Sequence, residues 1–205
     1  LLAQRPHMGA VIGQPDARVN FWWLGAGLAL GSQVVLSLPL TSIAPEDLAE
    51  YRAYLTQMRP FAGETRLGEG LHPETFATTR DGTSFVGVLN RERATREIPV
   101  DLGELGLDEH AVYAVYDVEQ SKAFPARAGF VARLAPESFR LFVLRREPGV
   151  LWTTSSFRVL PGRGCLRVRV SGPAVVPGVL HAYTPAPRAV YLDGRALPEG
   201  AAAVG

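Results

Sequence analysis

The chain has 205 residues, enough for one large or two small domains, and 47% of them are hydrophobic, which supports a packed core and excludes a disordered chain. Its 21 basic and 20 acidic residues leave a net charge of +1, without the clustered surplus of Lys and Arg that marks a nucleic-acid binder. Cys165 is the single cysteine, which excludes an intrachain disulfide, and none of the four histidines falls at metal-ligand spacing. No metal, cofactor or nucleic-acid partner is expected. The uncharged run from Val19 to Ile43 is long enough to span a membrane. Gly25, Gly27, Gly31, Ser32, Gln33 and Pro39 interrupt it, so it reads as buried helix, turn and strand. The chain opens Leu-Leu-Ala-Gln, with neither a methionine nor a signal-peptide pattern, and is expected to be a piece of something longer.

Leu1 to Asp16 reads as a strand end and a loop, with Asp16 placed to cap a following helix. Ala17 to Leu30 is apolar nearly all round, as in a helix buried on most sides. Gln33 to Leu38 (QVVLSL) is a short apolar run that fits a buried parallel strand. A second helix starts at Pro45, with Glu46 and Asp47 in its first turn, where negative charge suits the helix dipole. Leu48, Tyr51, Leu55 and Met58 recur at helical spacing, and Pro60 ends the pattern. Phe61 to Asp81 reads as a connector, and Asp81-Gly82 marks a tight turn.

From Ser84 the periodicity changes to two. In AVYAVYDV, Val112, Ala114 and Tyr116 alternate with Tyr113, Val115 and Asp117. In SFRLFVLR, Phe139, Leu141 and Val143 alternate with Arg140, Phe142 and Leu144. Short strands rich in aromatic and β-branched residues predict an antiparallel sandwich. Apolar residues on both faces of some strands predict a sheet covered on two sides. After Glu147-Pro148-Gly149, the stretches VLWTTSSFRVL, CLRVRVSG, VLHAYTP and AVYLDGRAL read as further strands. Leu166, Val168 and Val170 alternate with Arg167 and Arg169 in a half-buried pattern, and Asp193-Gly194 signals a hairpin. The fold expected is mainly β with an N-terminal α/β piece. Its divisions are 1–60 (α/β), 61–83 (connector), 84–147 (sandwich) and 148–205 (an added β module).

The stretch FWWLGAGLALGSQVVLSLPLTSIAPEDLAEYRAYL resembles the last helix–strand–helix of the (β/α)8 catalytic barrel in melibiase-like glycoside hydrolases, the clan that contains α-galactosidases. FVGVLNRERATREIPVDLGELGL, the Tyr-x-Val-Tyr-Asp run at Tyr113 to Asp117, and SFRLFVLR after Pro136-Glu137 resemble the C-terminal sandwich of the same proteins. The resemblance covers Leu1 to Arg145; the residues from Val150 onward match it poorly. It implies a truncated barrel end followed by an antiparallel sandwich, an oligo- or polysaccharide as the substrate of the parent barrel, and no membrane partner. It also implies retaining hydrolysis by two aspartates, whose carboxyl groups stand about 5–5.5 Å apart in such enzymes. In the family both come from barrel strands upstream of this segment, so no catalytic residue is assigned here and the chain is expected to be inactive alone. The alternative is a non-catalytic carbohydrate-binding or structural β module.

Ligand contacts of a barrel gather at the C-terminal ends of its strands. If Leu1 to Pro6 finishes a strand, His7 falls at such an end and is a candidate to bond a sugar hydroxyl; a loop histidine of no chemical role is the simpler reading. Arg18 resembles an arginine found at this place in the family, although a helix cap or salt bridge explains it equally well. Ser37 ends QVVLSL, where a backbone-bonded buried serine is the simpler reading. Trp22 and Trp23 read as core; Trp152, beside Thr153, Thr154 and Ser155, is the better candidate for an exposed stacking residue, with core packing the default there too. Arg91, Glu92 and Arg93 read as a solvated hairpin, Tyr113 and Tyr116 as core, His181 and Tyr183 as strand packing, and Cys165 as a small buried residue that opens a strand.

Overall fold

The computed structural model describes residues 10–12, 34–36, 43–58, 65–69, 74–171, 178–185 and 189–197. Strands β1 (Ala10–Ile12) and β2 (Val34–Leu36) pair in parallel, Ala10 beside Val34, as expected for QVVLSL. The helix expected over Ala17 to Leu30, with Trp22 and Trp23, lies outside the described residues. Among the described residues, no helix is long and apolar enough to cross a membrane.

Helix α1 (Pro45–Met58) begins and ends where its sequence signals place it. The carbonyl of Ala44 accepts the N–H of Leu48 at 2.9 Å, which closes the first turn around Pro45. Tyr51, Ala53 and Gln57 are buried and Leu55 half-buried. Leu48 differs from expectation: it is 38% exposed, at the margin of the buried face.

Eight strands then form one antiparallel sheet: β3 (Thr65–Leu67), β4 (Thr75–Arg80), β5 (Thr83–Asn90), β6 (Arg96–Asp101), β7 (Val112–Asp117), β8 (Lys122–Arg127), β9 (Gly129–Leu134) and β10 (Ser138–Arg145). Their order is β3-β4-β5-β10-β7-β8-β9-β6. Two of them, β3 and β4, come from the stretch that reads as a connector. The Thr residues of TFATTR are good strand formers on a half-buried surface, and the Asp81-Gly82 turn that follows turns β4 back on β5. Asp81 (φ 50°) and Gly82 (φ 72°) both have positive φ, as a two-residue hairpin loop requires. β8 and β9 share only the Arg127–Gly129 pair, next to Ala128 at φ 59°. There the sheet folds over, so that β9 and β6 cover one face of β5, β10 and β7. Pro99 lies on β6, the last strand of the order, where a missing N–H costs no ladder bond on the open side.

The central strands are apolar on both faces, as their sequences predict. Val86, Val88, Tyr113, Val115, Phe142 and Leu144 point into the fold and meet Ile98, Val100 and Leu102 from β6 and Ala132 and Leu134 from β9. Phe85, Tyr116, Phe139, Leu141 and Val143 point outward and are covered by α1 and the strand after β10. Gly87 is required on that outer face. A Cβ there would stand 2.2 Å from the Phe76 ring and 2.8 Å from that of Phe139, the two rings that stack above it.

Beyond Arg145 the strands pair two by two: β11 (Gly149–Thr153) with β14 (Leu180–Tyr183), β12 (Ser156–Leu160) with β13 (Arg167–Ser171), and β15 (Tyr191–Leu192) with β16 (Arg195–Ala196). Asp193 and Gly194, both at positive φ, make the last hairpin as expected. Trp152 is 4% exposed and packs against the sheet, which decides for core packing over an exposed stacking role. Two expectations need correction. Cys165 is exposed, because it lies in the β12–β13 loop and β13 starts only at Arg167. The β13 pattern is half-buried only in part: Val168 is intermediate, but Val170 is 42% exposed, since among the described residues this ribbon pairs with no further strand. The molecule is thus mainly β with a short N-terminal helical piece, and its described residues do not close a barrel.

Candidate functional site

The expected substrate contacts His7, Arg18 and Ser37 lie outside the described residues. The described ones offer two built environments, one on each face of the β5–β10–β7 layer.

On the outer face, α1 and β11 are fastened to the sheet. Tyr51 and Ala53 of α1 and Leu151 and Trp152 of β11 share one buried cluster with Phe85, Phe139 and Leu141. Burial of each large apolar side chain contributes about 1.5–3 kcal/mol. A buried polar bond ties α1 to β11: Gln57 Nε2 donates to the carbonyl of Thr153 at 2.6 Å. The Thr153 hydroxyl in turn accepts the N–H of Ser155 at 3.1 Å, which shapes the turn out of β11. On β14, His181 stacks on Tyr116 with ring centroids 4.4 Å apart. Burial pushes its pKa below the usual 6.5, so the imidazole is neutral at pH 7. Tyr116 and His181 therefore do pack, as expected of strand residues, and their contact joins the β11–β14 pair to the sheet.

On the inner face, Arg140 and Asp117 form an ion pair with side chains only 9% and 3% exposed. Arg140 also donates to the carbonyl of Arg133 at 2.6 Å, stands 3.7 Å from the Glu119 carboxylate, and lies over the Phe142 ring. Its Nε has no hydrogen-bond partner. Burial pushes the guanidinium pKa below its usual value. Asp117 Oδ1 accepts the N–H of Gln120 at 3.0 Å and so closes the β7–β8 turn. The Tyr-x-Val-Tyr-Asp run thereby acquires a physical meaning. Tyr113 packs inward with its hydroxyl accepting the N–H of Asp108 (3.1 Å), Tyr116 packs outward under His181, and Asp117 neutralises Arg140.

These carboxylates are committed to structure. Asp101 Oδ1 accepts the N–H groups of Gly103 and Glu104, Asp108 Oδ1 accepts that of His110, and Glu74 pairs with Arg96. Among the described residues, no cluster of three or more His, Cys, Asp or Glu can hold a metal ion. The Arg140–Asp117 pair was legible by parity: Arg140 falls on the inward side with Phe142 and Leu144, Asp117 with Tyr113 and Val115. The Gln57–Thr153 bond, across 96 positions of sequence, had no local signal.

No protein-family model matches the chain, and no curated protein matches its sequence. Solved structures match its fold. One is an isomalto-dextranase from Arthrobacter globiformis T6 complexed with panose, at 16% identity over 71% of this chain and 27% of that one, with a TM-score of 0.52. Another is α-galactosidase I from Mortierella vinacea, at 12% identity over 65% and 38%, TM-score 0.52. A third is a GH27 β-L-arabinopyranosidase from Geobacillus stearothermophilus, at 13% identity over 63% and 31%, TM-score 0.52. Identities this low show a shared fold alone. The chain spans between 27% and 38% of the length of these enzymes. The chain's fold is similar to that of part of each of these enzymes.

Proposed function

We propose that this chain is part of a glycoside hydrolase of the α-galactosidase-like, retaining kind, and that its own share is support. In this reading residues 1–60 end a (β/α)8 barrel and the sheet that follows holds the barrel's last helix in place. The two catalytic aspartates come from barrel strands outside this chain, the parent acts on an oligo- or polysaccharide, and no cofactor takes part. His7, Arg18 and Ser37 are proposed substrate contacts at the barrel mouth. The observation that carries the reading is the docking of α1: Tyr51, Ala53 and Gln57 are buried against an apolar sheet face and β11. The fold likeness to glycoside hydrolases supplies the class.

The alternative, a carbohydrate-binding module, draws its strength from a row of solvent-facing aromatics. Trp152 is buried and Tyr183 half-buried beside it, and Tyr191, 65% exposed, stands on a different hairpin. Support is therefore the better reading. The test is turnover of an aryl α-galactoside. The purified chain is expected to release no phenol while the full gene product does; turnover by the chain alone, or none by the full product, overturns the proposal.

A further inference from the structure

The β12–β13 ribbon has two unlike faces. Its register sets Phe157 opposite Val170 and Val159 opposite Val168 on one face, and Arg158 opposite Arg169 and Leu160 opposite Arg167 on the other. Arg158, Arg167 and Arg169 are exposed, and among the described residues no carboxylate forms an ion pair with them. Like charges directly opposite each other destabilise a ladder, so the Arg158–Arg169 pair costs the ribbon stability. From Pro148 to Leu192 the chain holds five arginines and no Asp or Glu; the remainder carries 16 basic and 20 acidic residues, a net charge of −4. The surplus of positive charge thus falls in one stretch of the sequence, and the rest is net acidic.

We propose that this arginine face binds an acidic polysaccharide, with a carboxylate or sulfate seated between Arg158 and Arg169. Guanidinium groups match such oxyanions with paired, parallel hydrogen bonds, and an anion between them turns their repulsion into attraction. Five-residue strands span about 17 Å, enough for a single polymer strand to cross. A bilayer or a nucleic-acid duplex would press its charge against the net-negative remainder as well. The choice of a polysaccharide rests on the glycoside-hydrolase reading; the anion site rests on the ribbon alone.

Affinity electrophoresis of the full chain in gels containing polygalacturonate, dextran sulfate or neutral dextran tests this, with phosphatidylglycerol vesicles as a fourth probe. The expected result is retardation by polygalacturonate (carboxylate) or dextran sulfate (sulfate), weakened by salt, and none by neutral dextran. R158Q/R169Q is expected to weaken the interaction at least tenfold while leaving Tm unchanged or higher, because the repulsive pair is gone. A variant that binds as well as the parent, equal retardation by neutral dextran, a fall in Tm with the loss of binding, or binding to vesicles alone overturns the proposal. Binding is read without turnover. A full gene product that retards on polygalacturonate yet lacks glycosidase activity therefore supports the anion site and overturns only the hydrolase reading.

Discussion

Arg140 and Asp117 show how one residue pair decides the fate of a strand. Two charges deep in a sandwich repay their desolvation only while both are present. Asp117→Ala strips the buried guanidinium of its counter-charge, and denaturant unfolding is expected to show a loss of about 3–5 kcal/mol. Replacement of both residues by apolar ones of similar volume is expected to recover most of that loss, as a double-mutant cycle in urea would measure. His181 gives a pH dependence of defined sign. Its folded pKa lies below the usual 6.5, so the unfolded chain binds the proton more tightly. Its contribution is fully present above pH 6.5 and is lost as the pH falls through the lower, folded value. Thermal melts between pH 7.5 and 5 are expected to show Tm falling, and His181→Phe, which keeps a ring on Tyr116, is expected to flatten that part of the slope.

At the scale of the element, the outer sheet face is a docking surface whose parts come from distant sequence. Gly87 leaves room for the Phe76–Phe139 stack, and Gly87→Val is expected to cost about 1–3 kcal/mol by overpacking, measurable by chemical denaturation. Phe142→Ala on the inner face removes a ring in edge contact with Phe130 at 4.8 Å, for an expected loss of about 3–5 kcal/mol. Elements governed by local rules were readable from sequence. The bounds of α1 follow from Pro45 and its periodicity, and both Asp-Gly hairpins follow from their need for positive φ. β3 and β4 were hidden because Thr, Gly and Glu in a row satisfy a loop as readily as a strand; only the pairing with β5 decides between them. The exposure of Cys165 and Val170 depends on whether another layer covers their ribbon. The burial of Trp152 depends on a sheet face whose strands lie before it in the chain. Alternation within either segment encodes neither fact.

For the whole molecule, the central proposal is that the sandwich holds the enzyme together and does no chemistry. The inward and outward parities of β5, β7 and β10 make it a layer sealed on both sides, with helix and β11 on one and β6 and β9 on the other. Such a layer transmits rigidity. The direct measurement is the kinetics of the full gene product carrying Phe139→Ala, a change that thins the outer cluster beneath α1. With an aryl α-galactoside at 25 °C, kcat and KM per folded molecule are expected to stay within about twofold of the parent, while the temperature of inactivation falls by several degrees, consistent with a loss of about 3–5 kcal/mol. A kcat reduced by tenfold or more in fully folded enzyme, with the inactivation temperature unchanged, would contradict the supporting role.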